Sequence, residues 1–333
     1  MTTAAPMVEV WRGPFCESLH RGHAVVWDAG GGIVAAWGDP DAVILPRSSS
    51  KMIQALPLIE SGAAAQFGLS DAQLALACAS HQGEAVHTGM VGDWLAALSL
   101  SEGDLRCGSH LPYSDEARNG LVCSHTAPDQ RHNNCSGKHA GFLTLNKHLG
   151  GGSEYVDPDH PVQKAILAAF EDVTGETSPG YGIDGCSAPN SACTVTGFAR
   201  ALASYARPGP GVRGAAQARL THAMASHPHL VAGEGRACTV LMRAMGGKVA
   251  IKTGAEAVFA AILPDQGIGI AVKIEDGTTR ASEAVITQLL IGAGVLDAAN
   301  PAARTYIHGP ITNRRDVETG HYRVAESLSS WRL

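Results

Sequence analysis

An α+β fold, that is, an α/β mixture in which strands gather toward the two ends of the chain and helices fill the middle, is predicted by three patterns in the sequence. Short apolar runs separated by Gly and Pro open the chain, apolar residues at helical spacing dominate its middle, and a strand-like pattern returns after residue 246. Residues 8–11, 23–27 and 32–37 are the opening strands, and Pro46 stops the sheet. Over residues 48–61, Met52, Ala55, Leu56 and Ile59 recur at helical spacing, and Pro57 is expected to interrupt that helix, because it lacks the N–H that an inner turn needs. Further helices are predicted at 71–79, 86–98, 135–148, 161–173, 193–205 and 214–224. Residues 248–252, 257–263 and 267–274 then look like consecutive strands joined by tight turns, and 279–296 is one long amphipathic helix. The expectation is a single bilobed domain over 1–333. Its sheet lobe takes about 1–45 and 210–333, and its helical lobe about 46–209.

Composition narrows the class of function. With 333 residues, 45% of them apolar, and 39 glycines, the chain can bury a large core. The net charge of -6 is modest, and Lys and Arg are scattered without a run, so no nucleic-acid surface or membrane patch is expected. Residues 1–10 lack a basic start and a long apolar core, and no apolar stretch reaches the length of a membrane span. A cytoplasmic protein acting on a small soluble molecule is the expectation. There the 8 cysteines would be reduced, and their irregular spacing without a C-x-x-C argues for buried thiols and a metal site instead of a disulfide framework.

Two motifs read as halves of one serine-hydrolase site. In Ser48-Ser49-Ser50-Lys51 the outer residues stand three apart, which on a helix puts them on one face, so a neutral amine could take the hydroxyl proton. Lys252-Thr253-Gly254 belongs on a strand lining the same cleft and supplies a second amine. About one chance S-x-x-K is expected in a chain of this length, and an isolated serine near a helix start is more often a cap. The ordered pair is what favours Ser48 and Lys51. A second constellation joins the segment from Asn133 to His139 with Gly182-Ile183-Asp184-Gly185-Cys186. Cys135 and Lys138 point the same way one turn apart, with His139 almost as close, and Cys186 could add a second thiol. Two thiolates and a nitrogen suit a soft tetrahedral cation such as zinc. The competing reading is that free cysteines are small buried hydrophobes and that lysine must lose its proton before it can ligate.

Five segments carry a resemblance: Pro46 to Met52, Cys78 to Glu84, His132 to Gly141, Asp184 to Pro189 and Lys252 to Glu256. Together they make the chain similar to the asparaginase II family, the rhizobial-type L-asparaginases. The resemblance implies a fold like that of serine beta-lactamases and glutaminases, and hydrolysis of L-asparagine to L-aspartate and ammonia. It also implies two serine-lysine pairs, Ser48 with Lys51 and Ser80 with Lys252, and a Zn2+ held by Cys135, Lys138 and Cys186. A homodimer is the expected assembly.

The chemistry divides naturally among these groups. Ser48 would attack with Lys51 as base, while Ser80 and Lys252 relay a proton and place positive charge near the tetrahedral intermediate; the reversed scheme has Ser80 attack. Arg47 could fork onto the substrate carboxylate, and Asp184 could accept its ammonium or hold a metal-bound water. Zinc would position substrate, since a serine nucleophile leaves it no water to activate in acylation. His227 and His229 flank a proline and are read as surface residues of a Pro-rich loop. Three other functions compete. A penicillin-binding or beta-lactamase activity lacks its S-x-N or Y-x-N triplet and export signal, a zinc-dependent amidohydrolase would need no serine, and a zinc- or amino-acid-binding protein could occupy the same fold without turnover.

Overall fold

A computed structural model describes residues 4–333, so the first three residues of the expected sheet lobe lie outside it. The chain divides into two compact units. One comprises residues 4–44, Thr194–Arg207 and Val240–Leu333; the other comprises Leu45–Cys193 and Pro208–Thr239. The structure thus has the expected mixed architecture, a sheet assembled from both ends of the chain with helices inserted between. Relative to the expected lobe limits, Thr194–Arg207 lies with the sheet and Pro208–Thr239 with the helices.

The sheet unit is antiparallel. In spatial order its strands are Pro310–Thr312, Glu318–Val324, Ala5–Arg12, Phe15–Asp28, Ile268–Ile274, Val258–Leu263 and Ala250–Gly254, with Gly32–Trp37 also paired to Phe15–Asp28. Val8 lies opposite Val324 and Val26 opposite Ile270, which joins residues from the two ends of the sequence in one sheet. Every residue of Val258–Leu263 is buried, the mark of a strand covered on both faces. Helices Val195–Ala206 and Thr279–Gly292 pack on this sheet. The first comes so close that a Cβ on Gly269 would stand 2.2 Å from the backbone nitrogen of Ala203, so only glycine fits there.

The helical unit gathers its helices, from 4 to 16 residues long, about one buried member. The helix Ser136–Leu149 buries eleven consecutive residues, Ser136 to Asn146, and ends on Gly150 in the left-handed conformation. Asp71–Ala77 packs against it, with Leu76 so near that a Cβ on Gly137 would meet the Leu76 carbonyl at 2.4 Å. Ser70 caps Asp71–Ala77 through a capping box with Gln73, which fixes where the chain enters the helix that leads to Ser80. Pro57 acts as expected: one helix ends at Gln54, and the next, Leu56–Glu60, carries the proline in its first turn. No helix among the described residues is long and apolar enough to cross a membrane.

Candidate active site

The helical unit concentrates the site residues. Ser48 lies in a single 3-10 turn, Arg47–Ser50, and Lys51 opens the α-helix Lys51–Gln54, so the motif straddles a junction instead of lying on one regular helix. Arg47 has φ of 54°, a left-handed conformation that side chains rarely adopt. Its N–H donates to Oδ1 of the buried Asn190 at 3.1 Å, which helps hold the turn in this strained form. Ser48 is half-buried and reachable.

Lys51 is buried, and its amine is the hub of the site. Nζ donates to the Ala79 carbonyl and lies 3.0 Å from Ser80 Oγ and 3.1 Å from Cys135 Sγ. Among the described residues its hydrogen bonds reach the 79–80 segment and Cys135, not Ser48. The sequence spacing suggests a Ser48–Lys51 pair; the folded chain adds Ser80 to the same amine. Two backbone bonds hold Ser80 and its neighbour: Ser80 N–H to Val231 C=O at 2.9 Å, and His81 N–H to Asn134 C=O at 3.2 Å. The His81 ring accepts the Gly83 N–H at Nδ1, so Nε2 carries the proton and donates to Ser136 Oγ at 2.9 Å. Burial, reinforced by His87 and Lys51, holds the His81 pKa well below the imidazole value of 6.5.

Cys135 caps the buried helix, and Asn133 Oδ1 accepts its N–H at 2.8 Å. Lys138 follows within the first turn and lies 3.1 Å from Cys186 Sγ. The hydrogen bond from the Cys135 thiol pushes the Cys186 pKa well below 9.0, with the Lys138 charge adding to the effect, whereas the Cys135 pKa is raised by the same contact and by burial. Burial opposes charge on Lys138, but the Cys186 and Cys135 sulfurs outweigh it and raise its pKa. His139 is fully buried, its Nδ1 pairs with Tyr155 Oη at 2.9 Å, and its Nε2 has no hydrogen-bond partner. Two sulfurs suit zinc, and the Lys138 amine can join them once it has lost its proton, so this set fits the ion that the resemblance implies.

Arg47 and Asp184 form an ion pair, with Nε and Nη2 at 3.2 and 2.7 Å from Oδ1. The pair presents both charges that a zwitterionic amino acid would seek. Lys252 lies in the sheet unit, buried on Ala250–Gly254, where Nζ donates to the Thr253 carbonyl at 2.7 Å. Asn190 was invisible as a site residue in the sequence, because it acts by orienting Arg47 and lies outside every motif, and Asn133 and Ala79, though within the motif segments, take part only by orienting their neighbours. His229 corrects an expectation. It is half-buried on the short helix Pro228–Ala232, not a surface loop residue, because that helix packs on Asp71–Ala77 and brings its ring 5.7 Å from that of His87.

The L-asparaginase II family profile matches residues 8–324. No curated protein matches the chain. Among solved structures, Mglu in its native form is 14% identical with a TM-score of 0.44 over 84% of this chain and 66% of that one; the chain therefore spans slightly under two thirds of its length. Mglu in its tris and glutamate form gives 12% and 0.47 over 90% and 65%, and a beta-lactamase from Mycobacterium bovis gives 12% and 0.40 over 79% and 89%.

Proposed function

The chain belongs to the L-asparaginase II family, an amidohydrolase family, and on that premise we propose that it hydrolyses L-asparagine to L-aspartate and ammonia through a serine nucleophile activated by Lys51. The observation that carries this reading is the buried Lys51 amine, held 3.0 Å from Ser80 Oγ and three residues beyond the accessible Ser48. In the proposed reaction Ser48 Oγ attacks the amide carbon while Lys51 takes its proton. The tetrahedral intermediate then collapses, the C–N bond breaks, and a proton relayed through Lys51 and Ser80 goes to the departing nitrogen, releasing ammonia. Water cleaves the resulting ester to give aspartate and restore Ser48. For Lys252 the pairing with Ser80 rests on the family resemblance alone. Arg47 and Asp184 receive the substrate's carboxylate and ammonium, exchanging their mutual contact for two charge-matched ones.

Cys135, Lys138 and Cys186 would hold the zinc ion, with Lys138 Nζ already 3.1 Å from Cys186 Sγ. Bound there, zinc supplies positive charge that orders the substrate pocket. Lys138 must give up its proton on binding. The thiols must stay reduced, which suits a cytoplasmic protein whose eight cysteines are all free.

The Lys51–Ser80 hydrogen bond also favours a second reading, in which Ser80 attacks and Ser48 assists. Ammonia release from L-asparagine by the purified protein tests the reaction, and Ser48→Ala and Ser80→Ala, each with hydroxylamine trapping of the acyl-enzyme, test the order. Loss of trapped adduct only in Ser48→Ala supports the first scheme, and loss only in Ser80→Ala the second. No ammonia from asparagine under any condition would remove the asparaginase reading.

A further inference from the structure

We propose that the helical unit carries a divalent metal site formed by Glu84, His87 and His229, separate from the Cys135, Lys138 and Cys186 set. The ligand atoms of the three side chains lie within 4.8 Å of one another. Glu84 is the N-cap residue of helix Ala85–Ala97, and His87 stands in its first turn, a Glu-x-x-His spacing that puts both side chains on one side of the helix end. His229 comes from Pro228–Ala232, so two elements distant in sequence meet at the site.

The decisive observation is the protonation pattern of His87. Its Nε2 lies 3.0 Å from the His229 backbone carbonyl, which can only accept, so Nε2 carries the hydrogen and Nδ1 is a bare lone pair. That Nδ1 is buried with no hydrogen-bond partner, and His87 has no exposed surface. A buried acceptor left unused is costly, and a metal ion is the partner that a lone pair fixed by an N–H···O=C bond on the opposite ring atom is arranged to meet. The carboxylate is oriented as well: Glu84 Oε1 accepts from Gln82 Nε2 and from the Glu234 N–H, each at 3.2 Å. Gly233 lets the chain close over it, since a Cβ there would meet Glu84 Oε1 at 2.8 Å.

Two imidazoles and one carboxylate form a borderline donor set, the chemistry of zinc and its cobalt substitute, with water completing the shell. Tetrahedral bonds of about 2.1 Å place ligand atoms roughly 3.4 Å apart, a contraction within reach of rotations in the half-exposed Glu84 and His229 side chains. The way in is acidic: Glu84 opens on a cavity of about 770 Å³ also lined by Asp115, Glu116 and Glu234, which draws cations toward it. The ion would be a brace. His87 stacks on His81 with ring centres 4.8 Å apart, and the helix bearing His229 also bears Val231, whose carbonyl receives the Ser80 N–H. Metal binding would therefore pin the two segments that hold Ser80, and it does so whether or not Ser80 takes part in hydrolysis.

The experiment is a Co2+ titration of chelator-stripped protein, followed by absorption and by thermal melting, in a Cys135→Ser, Cys186→Ser background that lacks the thiols of the other set. One equivalent should bind without a thiolate charge-transfer band and should raise Tm. Glu84→Gln and His229→Gln, both at half-exposed positions, should each weaken binding by about tenfold or more and abolish the rise in Tm. In the chain with its cysteines intact, the same two substitutions should remove one equivalent and leave the thiolate band in place. Absence of a binding equivalent in the Cys135→Ser, Cys186→Ser background, or unchanged Co2+ affinity in both Glu84→Gln and His229→Gln, would overturn the proposal.

Discussion

Replacing Lys51 by Met separates the work of the amine from its contribution to stability. The side chains are close in length, so the change mainly deletes Nζ and its contacts with the Ala79 carbonyl, Ser80 Oγ and Cys135 Sγ. Each buried acceptor left without a donor costs about 1–3 kcal/mol. Against that, an amine that is 1% exposed no longer has to be kept from water, and removing a buried ionisable group is often neutral or favourable. The two effects largely offset, so the change in stability should stay within about 2 kcal/mol. Activity has no such compensation. Losing a general base costs about 10²–10⁴-fold, so kcat on L-asparagine should fall by that factor while Tm moves by only a few degrees. Lys51→Arg should not restore turnover, because a guanidinium keeps its proton at working pH. The assay is coupled ammonia release at saturating substrate, with thermal melting of the same samples. A Lys51→Met protein that keeps more than about a tenth of wild-type kcat would refute the assignment of Lys51 as base.

Other expectations follow from the same geometry. Cys135→Ser, Cys186→Ser and Lys138→Ala should each lower bound zinc and raise KM for asparagine by about tenfold or more, with kcat partly retained; metal analysis beside steady-state kinetics checks this, and unchanged zinc content in the double cysteine variant would remove the ion from that set. His81 and His139 both have folded pKa values below 6.5, chiefly through burial, so below that pH the unfolded chain binds more protons than the folded one. Stability should accordingly be full above pH 6.5 and fall as the pH drops from there through the folded values. Urea midpoints at several pH values measure this, and a flat profile below pH 6.5 would contradict it. Gly137→Ala should destabilise the protein by about 1–3 kcal/mol, because its Cβ would meet the Leu76 carbonyl at 2.4 Å, and denaturant unfolding would show it.

The parts of this architecture that could be read from sequence are those whose cause is local. The proline break at Pro57, the helix opening at Asp71 and the strands ending at Trp37 and Leu263 each depend on residues within a few positions of one another. The strand Glu318–Val324 could not be found this way. Its sequence, Glu-Thr-Gly-His-Tyr-Arg-Val, shows little apolar alternation, since only Gly320 and Val324 are buried, and its place in the sheet comes from pairing with Ala5–Arg12. The site behaves similarly. Ser48 and Lys51 are marked by spacing alone, but the meeting of Lys51 with Ser80 and Cys135 spans 29 and 84 residues and is decided by how the buried helix packs. His229 was hidden for a related reason: its neighbouring Pro228 signals a loop, and a five-residue helix has no periodicity to set against it.

The pairing of Glu9 with Arg323, 314 residues apart, bears on how the chain is made. On a ribosome the segment Leu45–Cys193 emerges as an unbroken run and can begin to collapse early, but the strand Ala5–Arg12 must wait for Glu318–Val324 before one of its edges is covered. Closing so long a loop is slow, and until it closes Ala5–Arg12 offers an unpaired ladder to any passing strand. Chains that stop just short of residue 318 should therefore be the ones that aggregate or recruit chaperones, even though all of the residues proposed for the chemistry are already synthesised.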